Sequence, residues 1–317
     1  MRIRLLGNLE VTDNEGERVS VRGAKLGRLL AALALDAGRV VGTDHLIDSV
    51  WGDVLPLKVD NALQVLVSKL RHTLAPAAPA GPTVLTRAPG YLLDVAPDDV
   101  DTLRFAALVA EGRSRLEEGS HDEATGLLRQ ALGLWRGPAL ADFAFDEFAA
   151  GDRVRLEELR LSAAEDCIQA DLGLGRHVRC VGELEQLVAA HPLRERLWGQ
   201  LMLALYRSGR QSEALRVYQD ARAHLGHELG IEPRPELRRL EVAILAQDPA
   251  LDLPDRRQAP AKPPSHDERQ APVTRASGNL HRPLTGCLGR ADELAALVRL
   301  LGSHRLVTLV GPPASLN

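Results

Sequence analysis

The stretch KVDNALQVLVSKLRHTL, residues 58–74, decides how the first hundred residues fold. At about 100° per residue, its leucines and one valine fall on one side of a helix of roughly residues 58–75. This apolar side comprises Leu63, Val67, Leu70 and Leu74. The opposite side carries polar and basic groups and one valine, namely Lys58, Asn61, Val65, Ser68, Lys69 and His72. The pattern predicts an amphipathic helix that packs on a core and exposes a basic face.

Short patterns on either side of this helix complete a recognisable order of elements. Alternation of polar and apolar residues predicts strands at 2–5, 9–11 and 18–21. Leucines at helical spacing predict a first helix over 26–34, and Thr43 is expected to cap a second helix that ends at Gly52. A hairpin of residues 83–86 and 91–95 is predicted to follow. Three strands, three helices and a hairpin are the order of an α+β winged helix-turn-helix domain.

The side chains on the outer face of the third helix can read base edges. An amide suits adenine, a lysine suits guanine, and an apolar side chain suits the thymine methyl group. The candidate base readers are Lys58, Asn61, Val65, Ser68, Lys69 and His72. The candidate phosphate or minor-groove contacts are Arg22, Lys25, Arg28, Thr43, Gln64, Arg71 and Arg87. An ordinary solvated helix face, and an ordinary surface arginine at the hairpin tip, remain alternative interpretations.

The distribution of charge confines any nucleic-acid contact to the first hundred residues. The net charge is −4. Residues 1–97 carry 11 Lys and Arg against 10 Asp and Glu, whereas residues 98–250 carry 19 against 27. Residues 251–317 carry 9 against 6. The acidic middle excludes a chain that binds a polyanion along its whole length.

From Asp101 onward the pattern is helical, with a repeat. Gly119, Gly175 and Gly209 are each predicted to separate two paired helices, and the last two glycines are 34 residues apart. That period is typical of tetratricopeptide repeats. The 56 residues between Gly119 and Gly175 imply an insertion of about 22 residues, from Trp135 to about Phe148. An irregular helical bundle with coincidental spacing is the alternative.

The end of the sequence differs in composition from the rest. Residues 251–285 are rich in proline and polar residues, which predicts a linker. Leu306–Val310 is typical of a buried strand, but Gly311 is followed by no P-loop lysine. We therefore interpret residues 286–317 as an incomplete start of a nucleotide-binding domain, and we expect no ATP binding and no cofactor.

Other classes of protein have little support. Cys167, Cys180 and Cys287 are scattered without CxxC spacing, which disfavours a zinc site or a disulfide framework and favours a reducing cytoplasm. The histidines show neither triad nor metal-ligand spacing, so we expect no enzyme. No apolar run approaches the roughly 20 residues of a membrane span, so we expect no membrane contact.

Several motifs in order resemble those of the Streptomyces antibiotic regulatory protein family, over about residues 1–250. In the first part they are Gly23-Ala24-Lys25, Leu46-Ile47-Asp48-Ser49-Val50-Trp51-Gly52, residues 61–71 and Leu85-Thr86-Arg87-Ala88-Pro89-Gly90-Tyr91. In the second part they are Leu134-Trp135-Arg136-Gly137-Pro138, His191-Pro192-Leu193-Arg194-Glu195, residues 203–215 and Glu228-Leu229-Gly230-Ile231-Glu232-Pro233.

The resemblance implies both architecture and function. It implies an OmpR-type winged helix at 1–97 and an all-α, tetratricopeptide-like bacterial transcriptional activation domain at 98–250. Family members bind direct repeats near promoters of secondary-metabolite clusters and recruit RNA polymerase, so the resemblance implies double-stranded DNA and RNA polymerase as partners. Because a direct repeat places two copies head to tail, we expect side-by-side dimers on DNA. Two rival interpretations are a nucleotide-hydrolysing switch, which the missing lysine disfavours, and a scaffold that binds only proteins. Salt-independent binding to DNA would favour the scaffold.

Overall fold

The computed structural model describes residues 1–77 and 83–253, and the described residues belong to one compact unit, Met1–Arg256. From residue 254 onward, the predicted linker and the incomplete nucleotide-binding segment lie outside the described residues. Among the helices described, none has the length and apolar content that crossing a membrane requires.

The first part of the chain is a winged helix-turn-helix. Its elements are β1 (Arg2–Arg4), β2 (Glu10–Thr12), α1 (Ala24–Leu35), β3 (Val40–Gly42), α2 (Thr43–Trp51), α3 (Val59–Leu74), β4 (Val84–Arg87) and β5 (Gly90–Leu93). β1 and β2 form an antiparallel pair, and β5 lies between β3 and β4 in a second, antiparallel sheet. The β4–β5 hairpin is the wing. The predicted order of helices and hairpin is confirmed.

Two local predictions in this part were wrong. The strand expected at 18–21 is reduced to an isolated bridge between Thr12 and Arg18. Thr43 does not cap α2, because Gly42 occupies the N-cap position and the Thr43 hydroxyl instead donates to the Pro89 carbonyl at 2.9 Å. Strand β3 was not predicted, since its partner β5 lies about fifty residues further along the chain and no local pattern reports such a pairing.

The second part consists of helices. They are α4 (Asp101–Glu117), α5 (His121–Leu132), α6 (Glu147–Gly173), α7 (His177–Ala190), α8 (Glu195–Arg207), α9 (Gln211–Leu229) and α10 (Pro235–Ala246). Gly119, Gly175 and Gly209 each join two paired helices with φ of +76°, +78° and +76°. Because side chains with a Cβ strain this left-handed backbone, the shared geometry explains the glycine at each turn. The predicted helical repeat is confirmed, and with it the fold class of an α+β winged helix followed by an all-α domain.

The predicted insertion joins the two parts. The residues predicted as the insertion, Trp135 to about Phe148, correspond to most of the loop of residues 133–146 and the first residues of α6, a helix of 27 residues. Backbone amides of this loop donate to the chain after β1: Arg136 to Leu6 at 2.9 Å, Leu140 to Leu5 at 2.8 Å and Ala141 to Gly7 at 3.0 Å. One apolar core consequently continues from the winged helix into α4, α5 and α6, as far as Cys167.

Candidate nucleic-acid interface

The solvent-exposed side of α3 carries the candidate base readers and is called the candidate recognition face. Leu63, Val67, Leu70 and Leu74 are buried as the sequence pattern predicts, so the opposite side points away from the core. All six candidate base readers are exposed: Lys58, Asn61, Val65, Ser68, Lys69 and His72. Val65 is 69 % exposed, which leaves a bare apolar group among polar ones. The structure therefore brings these six side chains together on one surface.

This surface has the length and charge that a major groove requires. α3 spans 16 residues, and Lys69 and His72 stand on its exposed side, with Asp60 the acidic residue of the first turn. Lys58 occupies the N-cap position and makes no side-chain cap hydrogen bond. A helix of about 24 Å can lie along the groove and present successive turns to base edges.

Arg71 ties α3 to the wing. Its Nε donates to the Val84 carbonyl at 2.7 Å, and its Nη2 donates to the Thr86 hydroxyl at 2.9 Å. The side chain is half-buried. Sequence reasoning placed Arg71 among phosphate contacts, but the described hydrogen bonds are internal. We assign Arg71 to positioning the wing against the recognition helix.

The wing is also fixed to the start of α2. Thr43 donates to the Pro89 carbonyl through both its hydroxyl, at 2.9 Å, and its amide, at 3.2 Å. Gly90 pairs with Gly42 of β3, and a Cβ on Gly90 would overlap the Val41 carbonyl oxygen. The Thr43 hydroxyl therefore donates its proton to the wing, so it does not donate to a DNA phosphate. Arg87 is exposed beside this anchored turn.

Three further candidates for phosphate contact have side chains exposed to solvent. Arg22 is exposed, and its Nε donates to Ser20 at 3.2 Å. Lys25 is exposed, with Nζ 5.6 Å from the centre of the Trp51 ring, a cation–π distance that holds the ammonium beside α2. Gln64 is exposed on the flank of α3. These three side chains remain candidates for phosphate contact.

Arg28 has a different role from the one predicted. Its Nε and Nη2 donate to the two carboxylate oxygens of Asp146, at 3.0 and 2.6 Å, and Nη1 donates to the Val50 carbonyl at 3.3 Å. Only 31 % of the side chain is exposed. Because a bidentate pair occupies the edge that a phosphate would use, we assign Arg28 to the contact between the two parts of the chain.

Sequence reasoning missed the carboxylates of that contact. Asp101, buried at the start of α4, accepts from the amides of Leu5 at 2.7 Å and Leu6 at 3.0 Å. Asp142 accepts from the Asn8 side chain and the Leu9 amide. Burial raises the pKa of Asp101, against the two amides and Arg136, which lower it. These partners lie about a hundred residues apart in sequence, so no local pattern could identify them.

Metal binding and thiol reactivity have little support among the described residues. Within residues 1–77 and 83–253, no group of three or more His, Cys, Asp and Glu side chains is placed to hold a metal ion. Cys167 and Cys180 are buried free thiols, and burial raises the pKa of each to about 11. Protonated, enclosed thiols are poor nucleophiles.

Two family profiles match the chain in the order of its two parts. The family described as "Transcriptional regulatory protein, C terminal" matches residues 17–93. The family described as "Bacterial transcriptional activator domain" matches residues 100–245. The first profile covers the winged helix from α1 to β5, without β1 and β2, and the second covers the helices from α4 to α10.

Characterised relatives match over both parts together. Regulatory protein DnrI of Streptomyces peucetius is 40% identical over 258 residues, which cover 80% of this chain and 94% of DnrI. Transcriptional regulator RedD of Streptomyces coelicolor is 41% identical over 255 residues, covering 80% of this chain and 72% of RedD.

A solved structure shares the fold. Mycobacterium tuberculosis EmbR, determined in complex with a low affinity phosphopeptide, superposes with a TM-score of 0.75 at 34% identity. The match covers 78% of this chain and 65% of the EmbR chain, slightly under two thirds. With DnrI and RedD matched over most of their length, the chain belongs to the Streptomyces antibiotic regulatory protein family of transcriptional regulators.

Proposed function

We propose that this protein is a sequence-specific DNA-binding activator of a secondary-metabolite gene cluster. The observation that carries the proposal is the candidate recognition face of α3, where an amide, a hydroxyl, a lysine and a 69 % exposed valine share one exposed side. This combination matches the acceptors, donors and methyl groups of the major groove. Exposing an apolar side chain is unfavourable in water, and contact with a thymine methyl group removes it from solvent.

Base reading is assigned to Lys58, Asn61, Val65, Ser68, Lys69 and His72. Asn61 can bind adenine through two hydrogen bonds, and Lys69 can donate to guanine. Lys58 stands at the start of α3, and His72 in its last turn, so their bases lie toward opposite ends of the half-site. A change at either end of α3 should therefore alter preference at a different base pair.

Contacts with the DNA phosphates are assigned to residues around the exposed side of α3. Arg22, Lys25 and Gln64 are exposed and can contact phosphates, which position the protein without reading sequence. The first turn of α1 contains no acidic residue, and its N-cap residue, Gly23, has no side chain to cap the helix amides. The positive end of the helix dipole and the charge of Lys25 therefore both attract a phosphate at the start of α1. Arg87, at the anchored wing tip, suits a narrow minor groove.

The helical part is assigned to recruiting RNA polymerase. We propose that residues 1–97 bind DNA, that residues 98–250 act as the activation domain, and that two copies bind a direct repeat side by side. The loop of residues 133–146 bonds directly to the chain after β1. An RNA polymerase held by the helical part would therefore be held at a fixed position relative to the operator.

The test is footprinting of the full chain on the upstream regions of neighbouring genes, followed by binding measurements at several salt concentrations. We expect protection of two direct half-sites, and an affinity that falls steeply with salt because phosphate contacts release counterions. Protection without sequence preference would contradict base reading. Affinity for DNA that does not change with salt would favour the scaffold that binds only proteins.

Activation is tested separately by transcription in vitro with purified RNA polymerase. We expect the full chain to raise transcript yield from a template that carries the footprinted repeats. Yield should not change on a template in which both repeats are scrambled. DNA binding that leaves yield unchanged would contradict the role of the helical part while leaving the candidate recognition face intact.

A further inference from the structure

A groove runs along α6 and α8 of the helical part, between α4 at one end and α10 at the other. It consists of two adjoining cavities of about 510 and 370 Å³. Glu195, Arg196 and Arg234 line both cavities, so the two halves are continuous. Stacked helical pairs often bind partners along such an extended surface. The groove lies in residues 113–240, outside the residues assigned to DNA.

The larger cavity is built on buried carboxylates that hold arginines. The Glu165 side chain is 1 % exposed and accepts from Arg194 Nε at 2.7 Å. Asp166 is also buried, and its two oxygens accept from Arg113 Nε at 2.6 Å and Arg196 Nη2 at 2.7 Å. Buried acids beneath outer arginines fix the guanidinium planes in place. This half of the groove is therefore preorganised, with the positive groups nearer to solvent.

Arg113 and Arg234, which both line the larger cavity, keep hydrogen-bond donors for a ligand. Within the described residues, the side chain of Arg113 bonds only through Nε. Arg234 is 79 % exposed, and its Nε lies 3.5 Å from Glu195. Both side chains line the cavity, and their terminal nitrogens make no described bond. A guanidinium edge with two N–H groups matches a carboxylate in bidentate geometry.

The smaller, mostly apolar cavity contains a buried acceptor. Leu203, Leu237 and Leu240 line it together with Gln200, and the charged Glu195, Arg196, Arg234 and Glu236 also belong to its lining. The Gln200 side-chain amide donates to the Glu165 carbonyl at 2.8 Å, but among the described residues Gln200 Oε1 finds no donor although it is buried. Buried polar atoms are nearly always paired. A donor from a bound molecule would satisfy this oxygen.

A glycine keeps the apolar cavity open. Gly199 lies inside α8, where glycine weakens a helix relative to alanine. A Cβ at this position would stand 3.6 Å from Leu237 and 3.8 Å from Leu240, which is ordinary contact. Packing within the chain therefore does not require glycine. What the glycine preserves is the space between α8 and α10.

From these observations we propose that the groove binds an extended peptide segment of a partner protein that combines an acidic and an apolar side chain. The carboxylate lies against Arg113 and Arg234, and the apolar side chain fills the space over Gly199. A backbone N–H of the peptide donates to Gln200 Oε1. The segment is extended because residues inside a helix have no backbone N–H to spare. This inference goes beyond the proposed function, since it does not depend on DNA.

The experiment selects random short peptides displayed on phage against the immobilised full chain. We expect the enriched sequences to combine Asp or Glu with Leu, Ile, Met or Phe. A synthetic, fluorescein-labelled copy of the most enriched peptide should bind the chain saturably, with Kd below about 1 mM. Absence of enrichment, or enrichment of basic peptides, overturns the proposal.

Variants locate the site. Gly199→Leu fills the apolar cavity and should abolish peptide binding, while Gly199→Ala, whose Cβ fits, should weaken it less. Arg234→Gln should weaken binding at least tenfold, whereas Arg238→Gln, an exposed arginine of α10 outside the groove, should have no effect. Melting temperature and DNA affinity show that each variant is folded. Peptide binding that survives Gly199→Leu in a folded protein overturns the proposed location.

Discussion

Arg28 of α1 and Asp146, the residue before α6, are joined by two parallel hydrogen bonds of 3.0 and 2.6 Å. The pair connects a helix of the winged domain to the helical part across 118 positions of sequence. Both side chains are shielded from solvent, 31 % and 19 % exposed. Arg28 also donates to the last turn of α2, at Val50. The contact therefore holds α1, α2 and the start of α6 together.

We expect Arg28 and Asp146 to be energetically coupled. Asp146→Asn should lower the free energy of unfolding by about 1–3 kcal/mol, because it weakens a charge-assisted bidentate pair and leaves a partly buried guanidinium. A double-mutant cycle with Arg28→Met, measured by urea denaturation, isolates the pair.

The control is the same double-mutant cycle on a surface pair, Asp152→Asn with Arg155→Met. Asp152 pairs with Arg155 three residues further along the exposed surface of α6. Pairs of that kind contribute about 0–1 kcal/mol. A coupling energy for Arg28 and Asp146 no larger than that of the surface pair would show that the contact does not hold the two parts together.

The second prediction separates base reading from phosphate contact. Lys69→Ala should lower affinity for the operator by about 1–3 kcal/mol and relax preference at one base pair. Lys25→Ala should weaken all sequences alike and make the dependence of affinity on salt less steep. Binding titrations on the operator and on random DNA, at several salt concentrations, measure both effects. If Lys69→Ala leaves binding to both DNAs unchanged, α3 is not the reading helix.

The wing offers a matched pair of arginines for the third prediction. Arg71→Met leaves the carbonyl of the buried Val84 without its side-chain donor and should destabilise the protein by about 1–3 kcal/mol. Arg87→Met, at the exposed tip, should leave stability unchanged and lower DNA affinity. Thermal denaturation and DNA titration are measured on both variants. The opposite result, with Arg87 stabilising the fold and Arg71 affecting only DNA, would reverse the two assignments.

Local periodicity in the sequence predicted the helices and the turns between them. The roles of individual side chains depend instead on hydrogen-bond partners that are distant in sequence. The apolar face of α3 and the three glycine turns were predictable, because residues three to five positions apart determine them. The roles of Arg28 and Arg71 were not, since a sequence shows a basic residue near a helix end but not the carboxylate or carbonyl that occupies it. Strand β3 and the Thr43–Pro89 hydrogen bond were unpredictable for the same reason, because each depends on a partner about fifty residues away in the sequence.

The buried carboxyl of Asp101 makes the stability of the contact between the two parts depend on pH, with a definite sign. Burial raises its pKa above the ordinary value of 3.8, so the folded protein binds the proton more tightly than the unfolded chain. The stability that Asp101 contributes is therefore greatest when the carboxyl is protonated. It decreases as the pH rises from the ordinary value through the folded value.

Comparison with Asp101→Asn isolates this effect from other titrating groups. Urea denaturation of both proteins at pH 4 and pH 7 should show the wild type losing stability relative to the variant at the higher pH. The Leu5 and Leu6 amides bond to this carboxylate and stabilise its charged form. If the wild type instead becomes more stable relative to the variant at pH 7, the two amides lower the pKa of Asp101 by more than burial raises it.

The last prediction concerns assembly on DNA. Two copies on a direct repeat meet head to tail, so each contributes a different surface and neither patch is buried twice. We therefore expect a monomer or a weak dimer in solution, and cooperative pairs on the operator. Sedimentation without DNA measures the first, and titration of operators with altered spacing measures the second. Adding about half a helical turn between half-sites should abolish cooperativity, and adding a whole turn of about 10 base pairs should restore it in part, because the copies return to one face of the duplex. A tight dimer at nanomolar concentration without DNA would contradict head-to-tail assembly. Cooperativity that does not depend on the spacing between the half-sites would also contradict it.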